Sequence, residues 1–257
     1  MEKNIIIASE GLTDCDALEQ IIKKIADKYD IQCHFSVFFP ERDNTSGRCT
    51  RRGWTSLRDK LKEFHPNPPV SAPLLQDKDK AIWKAAGMKG PTKASPATWA
   101  LVQGVENSLL VFHIDGDVAF KIHEGPDIED FDGNSDIIYD FCKNCLQSWS
   151  GVGDDSAIFV VPIQCLETWF LRTYKKFESE ESIENINTEN IYRILINLGC
   201  QKYDDGEGNI LPDKVFLIRT RLNLLLKRWG DICIECSSAD RFDKDLNSFF
   251  ERMTLAS

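Results

Sequence analysis

Four carboxylates are spaced so that they could hold a divalent cation. Glu10 and Asp14 lie four residues apart in "IIIASEGLTDCDAL", and Asp115 and Asp117 close the apolar run "LLVFHIDGD". Carboxylates gathered in one cleft repel, and their pKa values rise unless a cation neutralises them. Hard carboxylate oxygen ligands fit Mg²⁺ or Mn²⁺. Such ions polarise a phosphoryl oxygen and acidify a water, so the chemistry expected is attack on a phosphodiester. The plainer alternative is that these are loop acids, with Glu10 only a favourable charge at a helix N-terminus.

The elements around the acids must bring them together. "NIIIA" reads as a β-branched strand, Gly11 as a tight turn and Thr13 as the N-cap of the amphipathic helix "DALEQIIKKIADKY". "IQCHFSVFF" is a second strand, residues 109–114 another, and "SAIFVVP" a fourth that stops at Pro162. Helices are expected over "GWTSLRDKLKEF", "DIIYDFCKNCLQSW", "CLETWFLRTYKKF", "ENIYRILINLG", "DKVFLIRTRLNLLLKRW" and "DKDLNSFFERM", with a late strand at "DICIEC". Strands alternating with helices give an α/β fold with a mainly parallel sheet flanked by helices. Functional residues then gather at the carboxyl ends of strands, where Glu10, Asp115 and Glu167 all fall. Adjacent strands would set the Glu10 turn beside Asp115. A long separation, or a basic side chain between them, would end this reading.

These motifs, Glu10-Gly11 with Asp14 and then a strand ending Asp115-x-Asp117, resemble the Toprim pattern of primases, topoisomerases and the overcoming-lysogenization-defect nucleases. The fuller set, with "VVPIQCLETWFL" and the closing "CSSADRFDKDLNSFF", is similar to a small bacterial Toprim-like family, DUF4276. Gln164 departs from it, standing where an acid is usual. The resemblance implies a Toprim-like catalytic domain over 1–165 and a helical C-terminal extension over 166–257 packed on the same core. It implies a Mg²⁺-dependent nuclease with Glu10, Asp14, Asp115 and Asp117 as metal ligands. Glu10, Asp115, Asp117 and Glu167 are then the catalytic set. It also implies service as effector of an anti-phage system beside an ATPase partner. Two alternatives stand: a non-catalytic Toprim-like sensor or regulatory subunit of an ATPase complex, and a haloacid dehalogenase-like phosphatase. The second would use Asp115 as nucleophile, with Asp154 and Asp155 in its late acidic motif, but it lacks a clear Ser/Thr and Lys.

The net charge of −10 argues against a passive nucleic-acid coat. Residues 41–93, however, hold twelve lysines and arginines against six acids. They form a basic insertion at about 40–108 that could track a phosphate backbone in DNA or RNA. Arg51, Arg52, Lys60 and Lys84 are the expected backbone contacts; a solvated surface is the alternative. "RTRLNLLLKRW" could add Arg219, Arg221, Lys227 and Arg228, or be a core helix with a solvated basic side. Nine cysteines with no export signal suggest buried thiols and a cytoplasmic protein. The pairs Cys142/Cys145 and Cys233/Cys236 lack the turn chemistry of a zinc knuckle. His34 and His113 lie within strands and read as core residues, whereas His123 could approach the cleft. No run approaches the roughly 20 apolar residues of a membrane helix.

Overall fold

The computed structural model describes residues 1–41, 49, 51–64, 108–122, 125, 134–153, 157–175, 177, 182–206 and 208–255. Four parallel strands form the main sheet: β1 (Glu2–Ala8), β2 (Gln32–Phe39), β3 (Ser108–His113) and β4 (Ala157–Val160), in the order β2-β1-β3-β4. Alternate residues of the strands feed two apolar layers, as the pleat demands. Ile5, Ile7, Leu109, Val111, Ile158 and Val160 face one side, while Ala8, Leu110, Phe112, Ala157 and Phe159 face the other. Burial on both faces explains why β3 reads as an unbroken hydrophobic run rather than an alternation.

Helix α1 (Leu12–Ala26) covers the first face with Leu18, Ile21, Ile22 and Ile25 fully buried. The second face is covered by α2 (Trp54–Phe64) and α3 (Ser135–Ser150), through Leu57, Leu61, Ile138, Cys142 and Leu146. Helix α2 thus belongs to the core layer, although the sequence placed it in the insertion. Chain order runs from β1 outward to β2, then returns to β3 on the opposite side of β1. This reversal creates a switch point between β1 and β3, the place in such sheets where the loops leaving two strands run to opposite sides.

The C-terminal part joins the first layer. A short α4 (Glu167–Leu171), α5 (Thr188–Asn197), α6 (Lys214–Lys227), α7 (Trp229–Glu235) and α8 (Ser237–Leu255) share one hydrophobic cluster with α1 and the sheet. A hairpin of β5 (Lys202–Asp204) and β6 (Ile210–Pro212) precedes α6, and no alternating apolar pattern announces it. Three expectations are corrected. "DICIEC" is helical: Ile232 is 0% exposed and Ile234 is 85% exposed, whereas a strand would put both on one face. Helix α4 is only five residues long, and all five are buried, so no solvent-facing side sustains a longer helix there. Thr13 does not cap α1; Gly11 occupies the N-cap without a side-chain bond.

Among the described residues no helix is long and apolar enough to cross a membrane. All nine cysteines are free. Cys142 and Cys145 lie on α3, whereas Cys233 lies on α7 and Cys236 just past its end. Among the described residues no three His, Cys, Asp or Glu side chains stand together as an ion-holding group.

Candidate functional site

The switch point brings the predicted acids together. The turn after β1 and the turn after β3 touch directly: the Asp115 N–H donates to Glu10 Oε1 at 2.9 Å. Among the described residues no basic side chain separates them. The β3 turn is also zipped to the loop after β4. Gly116 N–H donates to the Pro162 carbonyl at 2.8 Å, Asp117 N–H to the Gln164 carbonyl at 2.9 Å, and the Leu166 N–H to Asp115 Oδ1 at 3.0 Å. A Cβ on Gly116 would lie 2.1 Å from the Ile163 carbonyl oxygen, so only glycine allows this approach. Asp-Gly-Asp is therefore a backbone requirement as well as a pair of acids. At Gly11 a Cβ would meet only the end of the Asp14 side chain, at 2.7 Å, so glycine is less strictly required there.

The carboxylates differ in their surroundings. Burial pushes Glu10 up to about 8, and the neighbouring Asp115 charge adds to the effect. Asp115 is itself buried, which works against its charge. His113, Lys214 and the Leu166 N–H nevertheless hold it below the usual carboxylate range. Asp117 is raised by burial and by Asp115, with partial relief from Lys121 Nζ at 3.0 Å. Glu167 is 2% exposed and raised by burial, opposed by Lys214. Its Oε2 has no hydrogen-bond partner among the described residues.

Two basic groups that sequence reasoning did not assign to the site belong to it. Lys214, the first residue of α6, places Nζ 2.8 Å from Glu167 Oε1 and 3.4 Å from Asp14 Oδ1. It is a single lysine some 200 residues from Asp14, and no local motif marks it. His113 is fully buried beneath Asp115, with Nε2 3.4 Å from Asp115 Oδ1 and Nδ1 2.8 Å from Ser9 Oγ. Burial opposes its charge, but Asp115 and then Asp14 and Glu10 raise its pKa. Either Nδ1–H donates to Ser9 Oγ or the Ser9 hydroxyl donates to Nδ1, according to the tautomer. Ser9, His113 and Asp115 stand in line like a hydrolase triad, yet Ser9 is 0% exposed and cannot meet a substrate. The line supports Asp115 from below.

The expected nucleic-acid contacts are distributed unevenly. Gly53 N–H donates to the Glu10 carbonyl at 2.9 Å, which fixes the exposed Arg51 and Arg52 beside the acidic turn. Arg51 lies 3.7 Å from Glu63. Lys60 is drawn to Glu41 and Glu63 with its side chain 15% exposed, so its charge is spent locally. On α6, Arg221 lies over the Tyr174 ring, and just past its end Arg228 bonds the Arg172 carbonyl. Both are held by packing. Lys84, His123, Asp154 and Asp155 lie outside the described residues.

The donors are carboxylate oxygens, the ligand type hard divalent ions take, and one buried Glu167 oxygen has no hydrogen-bond partner among the described residues. As placed, the side chains are drawn apart by their partners: Asp14 and Glu167 to Lys214, Asp117 to Lys121, and Asp115 to His113 and the Leu166 N–H. No family model, curated protein or solved structure matches the chain.

Proposed function

We propose that the protein is a Toprim-like, divalent-metal-dependent nuclease that cleaves phosphodiester bonds in DNA or RNA. The observation that carries this reading is the direct contact between the Glu10 and Asp115 turns at the switch point of a parallel sheet. Glu10, Asp115 and Asp117 would hold Mg²⁺ or Mn²⁺, with Asp14 and Glu167 alongside. When bound, the ion neutralises charge at the phosphoryl group and acidifies water.

The chain's own residues supply the remainder. Glu10, raised to about 8 by burial and by Asp115, would release its proton on taking an ion at neutral pH, so ion binding and Glu10 deprotonation are coupled. Asp115 keeps its charge because His113 and the Leu166 N–H hold it. The clamp between the β3 and β4 loops fixes both aspartates, and preorganised charge acts without reorganisation at the moment of reaction. Arg51 and Arg52 border the turn where a phosphate backbone would run. Service as a defence effector beside an ATPase is part of the same proposal and rests on the motif resemblance.

The test is plasmid nicking by the pure protein with Mg²⁺ or Mn²⁺, with and without EDTA. Metal-dependent nicking is expected, and Asp115→Ala with Asp117→Ala should abolish it while circular dichroism stays native. Full activity in that double variant would refute the assignment.

A further inference from the structure

Strand β2 ends the main sheet on one side, and its outer edge is open. Gln32 N–H donates to the Met1 carbonyl at 2.8 Å, and the parallel register to β1 then turns the N–H and C=O groups of Gln32, His34 and Ser36 inward. Those of Cys33, Phe35 and Val37 point away from β1. Among the described residues these outward groups have no hydrogen-bond partner. Sheet edges are ordinarily guarded by a charge, a proline or a covering element. None of the eight residues Gln32–Phe39 is Asp, Glu, Lys, Arg or Pro, and Gln32, His34, Ser36 and Val37 are exposed. By contrast every residue of β4, at the opposite edge, is buried.

The open stretch is bounded at both ends. The register to β1 slips at Phe38, between the partners of Ile7 and Ala8, and Pro40 beyond it has no N–H to offer. At the other end Asp30 takes a left-handed turn, with φ of 54°. What remains is an outward triplet centred on Phe35. An antiparallel copy of the strand, related by a twofold axis at Phe35, pairs Cys33 with Val37 of the second copy and Phe35 with its own equivalent. That register uses every outward N–H and C=O of the triplet. The faces match as well. Cys33 and Phe35 pack toward the α1 layer, and Val37 shares their face, so apolar side chains meet apolar ones. On the other face His34 meets Ser36, and no like charges are opposed. We propose that the outer edge of β2 binds a second copy of this chain and joins the two sheets into one across the Phe35 axis. The contact is isologous, so it closes with two copies. It points the acid-bearing ends of the two sheets in opposite directions, and each site stays complete within its own chain. The inference stands apart from the nuclease reading.

The experiment is sedimentation velocity of the full-length protein across a dilution series, read beside residue-resolved amide exchange. Wild type is expected at twice the mass of one chain, and Val37→Pro at the mass of one. That substitution removes an outward N–H and no bond to β1, and an edge strand accepts proline where its N–H faces outward. In the wild-type dimer the N–H groups of Cys33, Phe35 and Val37 should be protected from exchange and lose that protection on dilution. Those of His34 and Ser36 should stay protected throughout. Wild type at the mass of one chain at every concentration would overturn the inference. So would growth beyond two copies, a dimer whose outward N–H groups exchange freely, or Val37→Pro dimerising as tightly as wild type. Should Val37→Pro fail to fold, the mass and exchange pattern of wild type decide alone.

Discussion

Glu10 is the residue at which site chemistry and stability are most closely tied. A carboxyl near 4.5 in the unfolded chain and about 8 in the folded one binds its proton more tightly when folded. Its stabilising contribution is therefore complete below pH about 4.5 and is lost as pH rises through about 8. Asp115, held low, contributes in the opposite sense, but only as pH falls through the acid range below its ordinary value. Between pH 5 and 8.5 the metal-free protein should thus lose thermal stability, and Glu10→Gln should lose less over the same interval. A melting-temperature series at constant ionic strength measures this. Equal slopes for the two proteins would show that Glu10 is not the titrating group. His113 is the other instructive residue. The sequence marked it as a core histidine, which it is, but only coordinates reveal that its ring lies under Asp115.

At the scale of elements, the close seams give the sharpest expectations. The β3 turn tolerates no side chain at position 116, so Gly116→Ala must push the β3 and β4 loops apart. Overpacking of this kind costs about 1–3 kcal/mol. A melt should show that loss, and cleavage should fall further than stability because both aspartates move. The N-terminus of α8 offers a second case. The buried Glu184 carboxylate accepts from the N–H and hydroxyl of both Ser237 and Ser238, at 2.5–2.9 Å. Trp169 Nε1–H donates in turn to the Ser238 hydroxyl at 3.1 Å. Glu184→Ala leaves these donors unsatisfied and should cost on the order of 2–4 kcal/mol in chemical denaturation, with little change in metal binding. The "CSSAD" stretch that resembled a family signature is therefore a helix-start device. The four sheet strands and most helices were legible because apolar spacing reports burial directly. "DICIEC" misled because alternating Ile and Cys mimic a strand while the buried set Trp229, Ile232 and Cys236 follows helical spacing. Glu10, Asp14, Asp115, Asp117 and Glu167 were legible because each sits at a strand end or in the helical turn that follows. Lys214 was not, because its place depends on how the C-terminal helices fold back over α1.

For the molecule as a whole, charge distribution decides how an acidic protein could approach a polyanion. With a net charge of −10, long-range repulsion opposes encounter, and any productive approach must come through a local basic surface. The Gly53–Glu10 backbone bond puts Arg51 and Arg52 beside the acidic turn, whereas Lys60 is consumed by Glu41 and Glu63. The two arginines should therefore carry binding and the lysine should not. Each phosphate contact removed lowers the slope of log affinity against log salt by roughly 0.7–0.9. Arg51→Ala with Arg52→Ala should then reduce that slope by about 1.4–1.8. Lys60→Ala should leave it unchanged, and Mn²⁺ stoichiometry should be the same in all three proteins. Fluorescence anisotropy with a labelled oligonucleotide across a salt series, in Ca²⁺ to support binding without cleavage, reads the slopes. Equal slopes for the double variant and wild type would move the nucleic-acid path away from the β1 turn. The acids would then face a substrate arriving from the α6 side, where Arg219 and Lys227 are exposed.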